Sequence, residues 1–128
     1  DYYRFSKILI GVGDAKGADQ NMGLKHELIA LKNPYIMSSS NEFSVQLLFN
    51  GQPQKNKKIT IFERKIDKTV GVRTAFTDSN GISKFTVTQG NEYLVDNVIL
   101  ELNNKPKNDT FWTSYWAALT FRASNEPQ

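Results

Sequence analysis

Residues 109–122 read DTFWTSYWAALTFR, the most regular alternation in this chain of 128 residues. One parity suits a protein core and comprises Phe111, Thr113, Tyr115, Ala117, Leu119 and Phe121. The other parity sets two tryptophans among small and polar residues and comprises Trp112, Ser114, Trp116, Ala118, Thr120 and Arg122. Because successive side chains of a strand point to opposite faces of a sheet, this period of two predicts a long β-strand with Tyr115 on the core side.

Other stretches of the chain show the same period or a short apolar run between turn signals. They are residues 4–12, 26–31, 41–50, 58–62, 70–77, 82–88 and 93–102. The clearest turns are Asn50-Gly51-Gln52-Pro53 and Asp78-Ser79-Asn80-Gly81, where Asp and Asn bond the local backbone and Gly accepts a positive φ. No segment shows a long helical period. The pattern predicts an all-β, antiparallel sandwich of about seven to eight strands, immunoglobulin-like or transthyretin-like, as a single domain over residues 1–123 with a frayed tail at 124–128.

The composition excludes several classes of site. The chain has no cysteine, which rules out disulfides, thiolate metal sites and cysteine nucleophiles, and its single histidine rules out multi-histidine metal centres. The net charge of +3 is mild, and the tightest basic cluster, Lys55 with Lys57 and Lys58, fits a solvated loop, so we expect no nucleic-acid partner. No apolar run approaches the roughly 20 residues of a membrane-spanning helix.

The sequence offers few candidate catalytic residues. A nucleophilic triad would need His26 as its base, and no nucleophile-elbow motif is present. Acid–base chemistry by paired carboxylates would need two of them in one cleft, whereas the candidates are predicted on different strands. Those candidates are Glu27, Glu42, Glu63, Asp96 and Glu101. We therefore expect that the chain is not an enzyme.

Two small groups of residues are candidate binding sites. His26 and Glu27 place an imidazole beside a carboxylate, ligands that nickel or cobalt accepts, but they offer two ligands at most, and a lone strand histidine is more often structural. Trp112 and Trp116 share one face of their strand, opposite Tyr115. If that face is exposed, it is a stacking platform for a sugar or a docking surface; if it is covered, the tryptophans are core residues.

Motifs in a fixed order carry a family resemblance over about residues 3–122. They are Arg4-Phe5-Ser6-Lys7, Gly23-Leu24-Lys25-His26-Glu27-Leu28, Asn33-Pro34-Tyr35, the stretch 43–53 (FSVQLLFNGQP), Thr77-Asp78-Ser79-Asn80-Gly81 and the stretch 112–121 (WTSYWAALTF). The chain resembles the C-terminal β-domain of a bacterial exported family of unknown function that is grouped with the periplasmic substrate-specific component of nickel and cobalt uptake systems. Its middle part is also similar to carboxypeptidase-regulatory and transthyretin-like sandwiches, which bind or space rather than catalyse.

The resemblance implies a periplasmic or secreted protein whose precursor has a signal peptide and an N-terminal portion with a histidine-containing segment. Glu27 falls at the glutamate of the family's Leu-Glu-type strand, whereas His26 stands where many relatives have an apolar residue. We therefore expect a non-enzymatic module, accessory to nickel or cobalt uptake, whose partners are the N-terminal portion and membrane transporter components. The alternatives are a carbohydrate- or peptide-binding module and a structural spacer.

Overall fold

The computed structural model describes residues 2–9, 21–31, 42–102 and 112–123, and within these ranges the chain is organised as β-strands. The strands are β1 (Tyr2–Ile8), β2 (His26–Ala30), β3 (Glu42–Phe49), β4 (Gln52–Pro53), β5 (Lys58–Arg64), β6 (Val70–Phe76), β7 (Ile82–Thr86), β8 (Glu92–Leu102) and β9 (Trp112–Arg122). Each stretch predicted to be a strand overlaps one of them. The short β4 lies inside a predicted turn, and the predicted tail at 124–128 lies outside the described residues.

The strands form two sheets that pack face to face. Sheet A has the order β1-β9-β8-β5-β6, and sheet B has β3 at its centre, with β2 along one edge and β4 and β7 along the other. This arrangement confirms the predicted all-β sandwich. One pairing departs from the antiparallel pattern, because β1 runs parallel to β9 from Tyr2 opposite Ser114 to Ile8 opposite Thr120. The described residues include no helix long and apolar enough to cross a membrane.

The core lies between the two sheets and follows the predicted parities. In β9 the residues from Thr113 to Phe121 alternate strictly between buried odd-numbered and more exposed even-numbered positions. Phe121 stacks on Phe43 of sheet B at a centroid distance of 4.3 Å and on Tyr93 of sheet A at 5.3 Å. These contacts place the aromatic centre of the core between β3, β8 and β9.

Two of the predicted turns need a left-handed backbone. Asn50 and Gly51 have φ of 53° and 76°, which matches the tight hairpin turn that Asn-Gly favours, and they connect β3 to β4. Gly81 has φ of 76°, and a Cβ there would lie 2.9 Å from the Leu47 carbonyl oxygen. Only glycine fits at position 81, because both the dihedral angle and the space exclude a side chain.

The crossing from β7 in sheet B to β8 in sheet A is held by Tyr93. Its hydroxyl accepts a hydrogen bond from the Thr88 N–H and donates one to Glu63 Oε2, each at 2.6 Å. Burial, followed by the neighbouring Glu63, raises the pKa of Tyr93, and the same hydrogen bond holds the pKa of Glu63 below its usual value. A tyrosine that bonds the backbone a few residues upstream is a recurrent corner of Greek-key sandwiches.

A cation of sheet A reaches sheet B at each side of the sandwich. On one side Lys7 of β1 forms a buried salt bridge with Glu27 of β2, with Nζ 3.0 Å from Oε2. On the other side the guanidinium of Arg73 in β6 donates to the carbonyl oxygen of Thr86 and, at 3.3 Å, to the Thr86 hydroxyl. These contacts link the edge strands of the two sheets.

Candidate functional site

His26 lies inside the sandwich and is fully buried. Its Nε2 is 2.8 Å from Asn97 Oδ1, and its ring meets the Phe49 ring edge-on at a centroid distance of 5.6 Å. Asn97 donates its own amide to the Lys58 carbonyl at 2.8 Å, which leaves Oδ1 as an acceptor. The imidazole therefore donates to Asn97 through Nε2, and Nδ1 is buried without a hydrogen bond.

The surroundings of His26 keep it uncharged. Burial lowers the pKa of His26 below 6.5, and the opposing effects of the Asn97 side chain and the Tyr115 backbone are smaller. Protonation would place a charge in the core, where solvation is poor. The residue is thus a neutral, structural histidine at neutral pH.

Glu27 points away from His26, because neighbours on a strand face opposite ways. Its Oε2 accepts hydrogen bonds from Lys7 Nζ at 3.0 Å and from the Met22 N–H at 2.8 Å, and its Oε1 accepts one from the Leu24 N–H at 3.2 Å. The carboxylate is fully buried, and its acceptor sites are directed at protein donors. The structure therefore does not bring the two predicted metal ligands together, and no group of three or more metal-ligating side chains occurs among the residues it describes.

Tyr115 lies on the core side of β9, as its parity predicts, and closes one end of the sandwich. Its ring stacks on Tyr3 at 5.5 Å and meets Phe49 edge-on at 5.2 Å. The Lys25 ammonium lies 4.6 Å from the ring centroid and donates to the Tyr115 hydroxyl at 3.2 Å. The hydroxyl in turn lies 3.5 Å from Glu101 Oε1. This set of contacts makes Tyr115 an anchor of the fold rather than a free binding residue.

Trp112 and Trp116 lie on the opposite side of β9, which faces away from sheet B. Trp112 is 55% exposed. Trp116 is half-buried, its Nε1 donates to Ser114 Oγ at 3.2 Å, and the Arg4 guanidinium lies 5.8 Å from its ring centroid. The two indoles therefore share a face but differ in accessibility.

That face, the outer face of sheet A, carries most of the exposed large apolar side chains of the described residues. The register of the five strands places there Tyr2, Ile8, Phe62, Val70, Val72, Phe76, Leu94, Val98, Leu100, Leu102, Trp112 and Trp116. The alternation of β8 predicts that Val98, Leu100 and Leu102 share a side. The signal that this side is exposed lies in β8 itself, since Tyr93 and Val95 supply the core from the opposite parity.

Asp96 stands near the centre of the outer face of sheet A, opposite Thr60 of β5 and Ala118 of β9. Burial among these strands raises the pKa of Asp96, while the charges of Arg4 and Lys58 partly oppose that rise. This partly desolvated carboxylate shares the outer face of sheet A with other charged side chains, among them Arg122 and the exposed Arg64–Glu92 pair.

The candidate catalytic carboxylates engage separate partners. Glu27 bonds Lys7, Glu63 bonds Tyr93, and Glu101 contacts Tyr115. Asp96 lies on the outer face of sheet A. None of these three contacts joins two carboxylates.

Comparison with curated proteins and with solved structures gives no match for this chain. A family model described as a domain of unknown function (DUF4198) matches residues 1–100, which include β1 to most of β8. The resemblance to a family of unknown function is confirmed at that level. The chain therefore belongs to the DUF4198 family of domains of unknown function.

Proposed function

We propose that this domain is a non-enzymatic docking module of a periplasmic or secreted protein, and that it binds another protein domain through the outer face of sheet A. One observation carries the proposal, the concentration of exposed apolar side chains on that face. Val70 and Leu100 are each 64% exposed and Trp112 is 55% exposed. Soluble monomers rarely expose a contiguous apolar surface of this kind, and such surfaces usually mark an interaction site.

The chemistry of the face favours a protein partner over a carbohydrate. A sugar site combines flat aromatic platforms with polar groups that bond the hydroxyls. Here the Trp116 N–H is already bonded to Ser114 and Arg4 lies over its ring, which leaves Trp112 as the accessible platform. Many of the other exposed side chains on this face are branched aliphatic ones such as Val72 and Leu100, which fit the apolar centre of a protein interface.

The partner that we propose is another portion of the same exported protein, as the family resemblance implies. Docking of a neighbouring domain would cover the apolar face without any further ligand. Asp96 would then lie within the interface, with Arg4 and Lys58 supplying part of its charge compensation.

Docking predicts that Trp112 is protected in the longer precursor chain. Iodide should quench the fluorescence of Trp112 severalfold less in the precursor than in the isolated domain. Both proteins carry Trp116→Phe, and a Trp112→Phe variant of each corrects for the remaining fluorescence. Leu100→Lys should restore quenching, because it places a charge in the apolar interface. Lys84→Glu on sheet B is the matched control and should change nothing. Equal quenching in the domain and the precursor would contradict docking, and protection by soluble sugars would favour the carbohydrate alternative.

We further propose that any role in nickel or cobalt uptake is indirect and uses docking, with the metal held by residues other than His26 and Glu27. The support is that His26 bonds Asn97 and Glu27 bonds Lys7, so neither side chain is available without opening the fold. Calorimetric titration of the isolated domain with Ni²⁺ and with Co²⁺ should show no binding to these residues. Binding that is lost in His26→Gln would contradict this expectation.

A further inference from the structure

Among the residues that the structure describes, strand β6 is the last strand of sheet A, and its outer backbone edge pairs with no other strand. The Thr77 N–H donates to the Lys57 carbonyl at 2.9 Å, and the Lys65 N–H donates to the Thr69 carbonyl at 2.9 Å. In an antiparallel pair the residues that exchange hydrogen bonds alternate with those that do not, so the odd-numbered residues of β6 direct their backbone groups to β5. The even-numbered residues direct theirs to the open edge, and they are Val70, Val72, Thr74 and Phe76.

This edge carries one of the devices that block strand addition, the inward-pointing charge of Arg73, and lacks several others. Natural edge strands are commonly short, bulged, interrupted by proline or lined with lysine. β6 has seven residues without proline, pairs with β5 in an unbroken register, and exposes Val70, Val72 and Phe76 by 60% or more. Other edge strands among the described residues make side-chain contacts across the sandwich. The Lys7–Glu27 salt bridge joins β1 to β2, and Arg73 donates a hydrogen bond to the carbonyl oxygen of Thr86 on the edge of β7.

We propose that β6 accepts an extended segment of another protein as an additional antiparallel strand of sheet A, with apolar residues at alternate positions and an acidic residue opposite Arg73. In strand addition, backbone hydrogen bonds provide affinity and alternate side chains provide specificity. The apolar residues of the segment would pack beside Val70, Val72 and Phe76 on the outer side. The proposal stands apart from the proposed function, because it uses the backbone edge and not the face around Trp112.

The acidic residue follows from the position of Arg73. Its backbone faces β5, so a residue added opposite it would form a pair without backbone hydrogen bonds, in which the side chains approach closely. The Arg73 guanidinium lies on the inner side of β6, where it bonds Thr86 and where its charge also acts on Glu63. A carboxylate opposite it would gain a charge-assisted contact. Gly71, the neighbour on the same side, leaves open space where a Cβ would be, so a long acidic side chain fits.

The same residue disfavours a second copy of this chain as the occupant. Two β6 strands paired antiparallel over their full length are related by an axis at residue 73, the middle of Val70–Phe76. Arg73 would then lie directly opposite Arg73 of the second copy, and like charges in that position are destabilising. A strand of a different protein with an acidic residue meets no such penalty.

A matched pair of peptides tests the proposal on the intact domain. The first is capped Val-Thr-Val-Glu-Val-Ser-Val with solubilising lysine ends, and the second has lysine in place of glutamate. Amide hydrogen exchange measured by NMR should show protection of Val70, Val72, Thr74 and Phe76 by the glutamate peptide. The lysine peptide should bind about fivefold to tenfold more weakly, as expected for replacing an opposite with a like charge across a strand pair.

Two variants of β6 separate this mode from other binding. Val72→Pro removes an edge donor that the fold does not use, so the variant should fold but lose peptide protection, while Val72→Thr should retain it. Arg73→Gln should bind both peptides equally. Absence of protection at β6 by the glutamate peptide at millimolar concentration would overturn the proposal, as would equal binding of the two peptides to the unmodified domain. Protection of β6 that rises with protein concentration in the absence of peptide would instead identify a second copy as the occupant.

Discussion

Glu27→Gln should lower the free energy of unfolding by about 3–5 kcal/mol, the usual cost of removing one partner from a buried ion pair. The substitution keeps the shape of the side chain but removes the carboxylate charge that lies 3.0 Å from the Lys7 ammonium, whose side chain is 7% exposed. It also weakens the acceptor for the Met22 and Leu24 amides, which fix the chain just before β2. Urea unfolding followed by tryptophan fluorescence measures the change.

The exposed pair of Arg64 and Glu92 is the control for this prediction. Its oxygen and nitrogen are closer, at 2.6 Å, but the two side chains are 50% and 44% exposed. Surface ion pairs contribute about 0–1 kcal/mol because water solvates the charges well, so Glu92→Gln should have a small effect. Equal losses in Glu27→Gln and Glu92→Gln would mean that burial does not determine the strength of the Lys7–Glu27 pair.

Acidification from pH 7.5 to pH 5.5 should reduce the free energy of unfolding by up to about 1.4 kcal/mol, through His26 alone. The unfolded chain takes up a proton below its pKa of 6.5, whereas burial lowers the pKa of His26 in the folded state. Between these two pKa values the unfolded state binds more protons than the folded state. The contribution of His26 to stability is therefore fully present above pH 6.5 and is lost as the pH falls. His26 is the only histidine of the chain, which makes this pH window free of other imidazoles.

Denaturant unfolding across that pH range tests the effect of His26. His26→Gln can still donate to Asn97 but does not titrate, so its stability should vary little between pH 7.5 and pH 5.5. Glu63 contributes only at lower pH, because its pKa is depressed in the folded state and its contribution is lost as the pH falls below about 4.5. Asp96 acts in the opposite direction, since its raised pKa favours the folded state in acid, and Asp96→Asn separates its contribution. An unchanged pH dependence in His26→Gln would contradict the assignment.

The strands and their faces were largely predictable from local sequence. The period of two in residues 112–121 assigns Tyr115 to the core and both tryptophans to the other face, and the structure confirms this assignment. Turn residues such as Asn50-Gly51 mark where strands end, because their backbone angles are costly for other residues. The parallel pairing of β1 with β9 was not predictable, since it joins the two ends of the described chain and leaves no periodic signal.

The candidate site was predictable only in part. Sequence placed His26 beside Glu27, but the strand directs the two side chains to opposite sides and gives them different partners, Asn97 and Lys7. Those partners are 71 and 20 residues away along the chain, so no local pattern could indicate them. The open edge of β6 likewise depends on strand order, which pairing between distant segments determines.

The sequence by itself determined that the chain is a β-sandwich and which parity of β9 suits the core, because side-chain alternation and turn geometry are local properties. Only the tertiary structure decided what the lone histidine and the tryptophans do. His26 became a neutral core residue because the packing of the two sheets buries it, and Trp112 became accessible because sheet B packs on the other side of β9. The apolar face and the open edge of sheet A exist because five strands from distant parts of the chain lie side by side.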